Sequence, residues 1–185
     1  LEKLGAVCTW QESKLFINTI RVSSYEVDPC VSDIQAGILF AGPLLNRFGC
    51  AVIPRGKGCK LGHRGPEKHI EFFSKAGISC EQKGDVLVFK ELTPKRSVPI
   101  TQSGSLKSNI EHRTVSFQKP AVTPTENILM YLAGRPEEEW SLHGLAQEPH
   151  VCDLIGFLNL CSTAKVIHGD GSSRKIIGTI DWKDD

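Results

Sequence analysis

The chain has 185 residues, of which 40% are hydrophobic and 23% are charged, proportions typical of a globular protein with a substantial core. Its formal net charge is +1, so it lacks the overall positive field that draws basic proteins to nucleic acid or to membrane surfaces. No apolar run approaches the roughly 20 residues that span a bilayer, and we expect neither nucleic acid nor a membrane among its partners.

The first residues of the chain, 1–5, have the pattern of a last helical turn closed by Gly5. A free-standing protein rarely begins in this way, so we expect a fragment of a longer protein. Residues 6–10 and 14–18 alternate apolar and polar side chains around a polar turn, which predicts a β-hairpin.

A helix is expected from about Val31 to Arg47, because its apolar side chains recur at helical spacing. Pro43 should bend this helix, and Gly49 should close it. A short buried strand at residues 50–53 follows.

The rest of the chain indicates a regular alternation of elements. In order, we expect a helix over 66–77, a hairpin of 78–81 and 86–89, a long polar loop over 93–112, a strand at 114–117, a helix beginning at 124, a strand at 140–142, a helix over 149–160 and a hairpin of 164–168 and 175–180. Within the helix over 66–77, Phe72 and Phe73 are more typical of a core than of a base-stacking platform.

An internal repeat emerges from this order. A helix, a strand, a helix and a hairpin occur over about 31–90 and again over about 114–181, and residues 1–20 match only the end of such a unit. This predicts a single α/β domain over 1–185, with a partial first repeat, in which helices pack together and sheets lie outside.

The cysteines give no sign of a disulfide framework or a metal site. There are seven, an odd number, and no pair has the C-x-x-C spacing of a structural zinc site. Reduced thiols are the simplest interpretation, and we expect a cytoplasmic protein with no metal.

Residues 54–64 form a glycine-rich, basic stretch that predicts a surface loop. It places Cys59 among Arg55, Lys57, Lys60 and Arg64, whose positive charges favour the thiolate and would attract an anionic ligand. From the residues alone, a basic loop with an incidental cysteine remains an alternative.

Five stretches of the chain together match the pattern of a known family: Leu4-Gly5-Ala6, Ala41-Gly42-Pro43-Leu44-Leu45-Asn46-Arg47-Phe48-Gly49, Gly58-Cys59-Lys60-Leu61-Gly62-His63-Arg64, Thr125-Glu126-Asn127-Ile128-Leu129-Met130 and Glu148-Pro149-His150-Val151-Cys152-Asp153. With these stretches the sequence resembles the UDP-N-acetylglucosamine enolpyruvyl transferases (1-carboxyvinyltransferases). The stretches occur in the family's order and cover nearly the whole chain. The resemblance implies one of two similar domains, each an inside-out α/β barrel of three repeats of the EPSP synthase-like type, with the active site between them.

The resemblance also implies roles for individual residues. Cys59 would be the general acid, able to form an adduct with phosphoenolpyruvate, and Arg64 would contact phosphoenolpyruvate and UDP-N-acetylglucosamine. The uracil would be cradled by Gly65, Pro66, Glu67 and Lys68, and the diphosphate would meet the segment of Lys119 and Val122. No metal and no cofactor are implied, and the missing second barrel domain would complete the site. From the residues alone, Arg64 could instead cap the loop, and Lys119 could be a solvated strand end.

Departures from the family pattern leave the function open. Gln35 stands where the family has a phosphate-binding arginine, and Ala121, Thr123 and Gln147 are also exchanged. Because a charged bidentate contact is stronger than a neutral amide bond, the exchange at Gln35 should weaken phosphate binding. We therefore weigh an enolpyruvyl transferase domain, inactive when isolated, against a diverged non-catalytic relative that binds a ligand or a protein. A shikimate-type transferase is a third possibility.

Overall fold

The computed structural model describes residues 1–56, 65–92, 111–135, 138–161, 164–168 and 173–178. Along these residues the helices and strands are β1 (Val7–Gln11), β2 (Lys14–Asn18), α1 (Ala41–Phe48), β3 (Cys50–Pro54), α2 (Glu67–Lys75), β4 (Ile78–Lys83), β5 (Val86–Glu91), β6 (Glu111–Ser116), α3 (Val122–Leu132), β7 (Glu138–His143), α4 (Pro149–Cys161), β8 (Ala164–His168) and β9 (Ser173–Gly178). The expected loop over 93–112 lies outside the described residues, except for its last two, which begin β6.

All three expected hairpins are present. β1 pairs antiparallel with β2, β4 with β5, and β8 with β9. Gly84 has a φ of 59° in the turn between β4 and β5, a left-handed conformation that glycine adopts without strain.

The single helix expected from Val31 to Arg47 is wrong in its first half. The chain instead forms two 3-10 helices, Pro29–Asp33 and Gln35–Phe40, before α1 begins at Ala41. The helical pattern breaks at Ile34, whose φ and ψ of −111° and 115° are extended. Pro43 therefore lies in the first turn of α1, where a missing N–H is tolerated, rather than at a bend.

The sheets repeat one topology. β3, β5 and β4 form a sheet in that order, and the same arrangement recurs as β7, β9 and β8 in the second sheet. A parallel pairing precedes each set: strand β6 pairs with β7, and Glu26 forms an isolated parallel bridge with Val52 of β3. The helix, strand, helix and hairpin order therefore occurs twice in space as well as in sequence, although the exact repeat boundaries stay a prediction.

The core lies where the helices meet the sheets. Phe72 of α2 stacks on Phe117 with ring centroids 3.8 Å apart, and Phe73 contacts Phe89 and Tyr131 edge-on. Both α2 phenylalanines are fully buried, as expected for core residues. This packing fixes α2 against β5 and α3 and so determines where the helix ends lie.

Candidate anion site at the helix starts

The predicted substrate-binding residues that the structure describes lie at the starts of three helical segments. Gly65 and Pro66 precede α2, and Glu67 and Lys68 are its first residues. Gln35 begins the 3-10 helix that leads into α1, while Lys119 precedes α3 and Val122 is its first residue. Cys59 and Arg64 lie outside the described residues.

These helix starts come together around one side chain, Asn127 in α3. Its Oδ1 accepts a hydrogen bond from the Gly42 N–H of α1 at 2.7 Å, and its Nδ2 donates to the Ile38 carbonyl at 2.9 Å. The same Nδ2 lies 3.2 Å from Nδ1 of His69, the third residue of α2. The starts of α1 and α2 therefore lie against the middle of α3, where Asn127 is the sixth of eleven residues.

His69 takes part in this network as a neutral side chain. It is 5% exposed, and burial lowers the pKa of its imidazole from 6.5 to about 4. Because Nδ2 of Asn127 can only donate, Nδ1 of His69 accepts, and the ring proton of the neutral tautomer resides on Nε2. The network holds the helices together without burying a charge.

The starts of α2 and α3 carry backbone N–H groups without helical acceptors. The first hydrogen bonds within these helices come from Ile70 to Pro66 and from Thr125 to Ala121, so the N–H groups before them have no acceptor within the helix. In α3 these are the N–H groups of Val122 and Thr123, because Pro124 has none. Neither N-cap residue, Pro66 for α2 or Ala121 for α3, makes a side-chain capping hydrogen bond. Helix starts with free N–H groups and a partial positive charge favour anions such as phosphate.

An open depression adjoins the start of α3. It has a volume of about 450 Å³ and is lined by Pro120, Leu145, Ala146, Gln147 and Glu148. The buried Thr125 hydroxyl accepts a hydrogen bond from the Ala146 N–H at 3.1 Å, which ties the wall of the depression to α3. Of the segment between Lys119 and Val122, where the diphosphate is expected, Pro120 lines this space.

The charged residues among those predicted differ in their surroundings. Lys68 forms an ion pair with Glu71 at 2.6 Å, and this hydrogen bond lowers the pKa of the Glu71 carboxyl. The Glu67 carboxylate folds over Gly65, where a Cβ atom would lie only 2.0 Å from Glu67 Oε2. Lys119 is exposed, and none of the ion pairs among the described residues includes it.

A second polar cluster lies at the other end of α3. Arg135 donates from both terminal nitrogens to the Glu91 carboxylate, at 3.1 and 3.3 Å, and from Nε to Glu138 at 3.0 Å. Trp140 Nε1 and the Tyr131 hydroxyl add hydrogen bonds to the same two carboxylates. Burial, the largest cause, raises the pKa of Tyr131.

Within the described part of the chain, no group of three or more histidine, cysteine, aspartate or glutamate side chains could hold a metal ion. None of the described helices is both long enough and apolar enough to cross a membrane.

The topology defines the class of protein, an α/β domain in which a helix, strand, helix and hairpin unit occurs twice. The model of the EPSP synthase (3-phosphoshikimate 1-carboxyvinyltransferase) family matches residues 1–181, so the chain belongs to this family. This confirms the expected fold class and the resemblance stated from the sequence.

Several curated relatives carry one name. A UDP-N-acetylglucosamine 1-carboxyvinyltransferase 2 from Carboxydothermus hydrogenoformans is 31% identical over 185 residues, which are 100% of this chain and 39% of the relative. A UDP-N-acetylglucosamine 1-carboxyvinyltransferase from Campylobacter hominis is 33% identical over 161 residues, 86% of this chain and 34% of the relative. The chain thus spans about a third of the length of these relatives.

A solved structure shares the fold. The enolpyruvyl transferase NikO from Streptomyces tendae aligns with a TM-score of 0.66 at 13% identity, covering 96% of this chain and 38% of that one. At this identity the likeness concerns the fold alone. The site residues named from the sequence stay predictions. Asn127 belongs to one of the stretches that match the family, but its contact with His69 is visible only in the structure.

Proposed function

We propose that the chain is part of an enolpyruvyl transferase that moves the enolpyruvyl group of phosphoenolpyruvate to the 3-hydroxyl of UDP-N-acetylglucosamine, a step of peptidoglycan precursor synthesis. The observation that carries this proposal is the identity of about 30%, over most of the chain, to several proteins named for that activity. A cytoplasmic location follows from the proposed pathway.

The geometry at the helix starts supports an anionic substrate. Both proposed substrates carry phosphate groups, and the N–H groups at the start of α3, whose N-cap residue makes no side-chain hydrogen bond, are suited to phosphate oxygens. Gly65, Pro66, Glu67 and Lys68 would cradle the uracil at the start of α2. Lys119 and the Val122 N–H would meet the diphosphate at the start of α3.

Cys59 and Arg64 would act from the loop before α2. Cys59 would protonate the enol carbon of phosphoenolpyruvate, and the oxygen of the sugar hydroxyl would bond to the neighbouring carbon as its proton passes to a base supplied by the expected second domain. Loss of phosphate and of a proton then restores the double bond, and Arg64 would hold the departing phosphate. The expected second domain of similar fold would complete the site, so the chain alone should be inactive.

A mass measurement tests this function. The longest form that the gene encodes is incubated with phosphoenolpyruvate and UDP-N-acetylglucosamine, and its intact mass and the released phosphate are recorded. We expect an adduct that disappears in Cys59→Ala and persists in Cys30→Ala, a matched change at an exposed cysteine. Phosphate release only with shikimate 3-phosphate would assign the shikimate branch instead. If the protein neither forms an adduct, nor releases phosphate, nor binds either proposed substrate, it is a non-catalytic relative.

A further inference from the structure

Among the described residues, the buried side-chain amide of Asn127 makes hydrogen-bond contacts with three other residues. It is 1% exposed, and its side chain contacts three different segments: α1 through Gly42, the preceding 3-10 helix through Ile38, and α2 through His69. An unsatisfied amide in such a place would be strongly unfavourable, so these contacts hold the segments at fixed distances.

The orientation of this amide follows from its partners. The Gly42 N–H can only donate and the Ile38 carbonyl can only accept, which assigns Oδ1 and Nδ2 without ambiguity. The backbones of α1 and α3 also lie close together at Gly42. A Cβ atom at Gly42 would lie 2.4 Å from the backbone oxygen of Asn127, so α1 and α3 approach as nearly as their backbones permit.

We propose that Asn127 is a positioning residue that sets the placement of the starts of α1 and α2 relative to α3, and thereby the geometry of the anion site. The inference rests on the proposed function, because the site is defined by the substrate-binding segments at those helix starts. Asn127 would act through Gly42, Ile38 and His69 rather than by contacting substrate.

A matched control lies in the same interface between α1 and α3, four residues later in each helix. Asn46 of α1 donates from Nδ2 to the Tyr131 carbonyl of α3 at 2.9 Å. The pairs Gly42 with Asn127 and Asn46 with Tyr131 show that α1 and α3 run parallel, so Asn46 lies farther from the helix starts. Loss of Asn46 should weaken the same interface without moving the site.

The test compares Asn127→Ala, Asn127→Asp and Asn46→Ala in the longest form of the protein. Asn127→Asp retains the acceptor for Gly42 and loses the donor to Ile38 and His69, so it serves if the alanine variant fails to fold. Three quantities are measured: amide hydrogen exchange at residues 41–44 and 67–70 without ligand, the tautomer of His69 from its nitrogen chemical shifts, and the dissociation constant for UDP-N-acetylglucosamine.

We expect both Asn127 variants to speed exchange at both helix starts and to change the His69 nitrogen shifts. They should also weaken nucleotide-sugar binding about tenfold. Asn46→Ala should lower stability while leaving the His69 shifts and the affinity near wild type. Equal effects of Asn127 and Asn46 variants on exchange, or an unchanged His69, would overturn the inference.

The proposed function can fail separately from this inference. If the wild-type protein binds no UDP-N-acetylglucosamine, the proposed substrate is wrong, and the exchange rates and His69 shifts alone decide whether Asn127 positions the helix starts. If the wild type binds and the Asn127 variants loosen the helix starts with unchanged affinity, the function stands and the positioning role is rejected.

Discussion

The middle and the C-terminal end of α3 satisfy buried polar groups in different ways. In the middle, Asn127 and the neutral His69 connect α3 to the starts of α1 and α2 through hydrogen bonds between uncharged groups. Just past the C-terminal end, Arg135 is surrounded by Glu91 and Glu138. A cation near the C-terminal end of a helix complements the helix dipole, whereas a neutral network adds no charge that would compete with an anionic ligand at the start of α3. The difference separates a structural end from a candidate binding end.

The largest effect is expected from Arg135→Met at the charged end. The Arg135 and Glu91 side chains are 10% and 5% exposed, so removing the cation leaves a buried carboxylate without its partner. We expect the free energy of unfolding to fall by about 3–5 kcal/mol in urea titrations. The double variant Arg135→Met with Glu91→Gln should regain much of this loss. A loss below about 1 kcal/mol for the single variant would show that the ion pair is not structural.

The buried neutral His69 should make the free energy of unfolding depend on pH. The folded state keeps His69 uncharged down to a pKa of about 4, whereas the unfolded chain takes up the proton near 6.5. The unfolded state thus binds more protons between these values, and the free energy of unfolding should fall by about 3 kcal/mol as the pH drops from 6.5 to 4. Urea titrations across this range measure the slope. If the free energy of unfolding of the His69→Gln variant falls equally over this pH range, groups other than His69 cause the dependence.

The next largest loss of stability is expected where Gly42 of α1 lies close to the backbone of α3. A methyl group there meets the Asn127 backbone, so Gly42→Ala should lower the free energy of unfolding by about 1–3 kcal/mol. Gly156 in α4 is the matched control, because nothing lies within 4 Å of a Cβ atom at that position. Gly156→Ala should raise stability by about 0.5–1 kcal/mol. Similar losses for both variants in urea titrations would contradict a specific contact at Gly42.

A smaller effect is expected on binding from Gln35→Arg. Gln35 is exposed at the start of the 3-10 helix before α1, so an arginine can be accommodated there and would add a charged donor. The affinity for phosphoenolpyruvate, measured calorimetrically in the presence of UDP-N-acetylglucosamine, should rise about tenfold. An unchanged affinity would place Gln35 away from the phosphate.

Local sequence patterns predicted most of the fold. Alternation predicted the three hairpins, and the proline and glycine around residues 66–77 bounded α2 closely. The break at Ile34 was missed because the apolar spacing of 31–47 fits a helix, while the preference for 3-10 turns arises from local backbone geometry.

The site was harder to predict from the sequence than the fold. The resemblance named the segments at the helix starts, but no local pattern shows that Asn127 contacts residues 85 and 89 positions earlier. His69 likewise has the appearance of an ordinary helix residue until its burial and its contact with Asn127 are known. Such long-range polar contacts depend on tertiary packing rather than on periodicity.

The most direct measurement is hydrogen–deuterium exchange of the longest form of the protein, with and without UDP-N-acetylglucosamine. We expect the ligand to slow exchange at the helix starts, residues 65–70 and 119–125, and to leave the charged end at residues 86–91 and 132–135 unchanged. Protection confined to the charged end, or binding that protects neither helix start, would contradict the placement of the substrate site at the starts of α2 and α3.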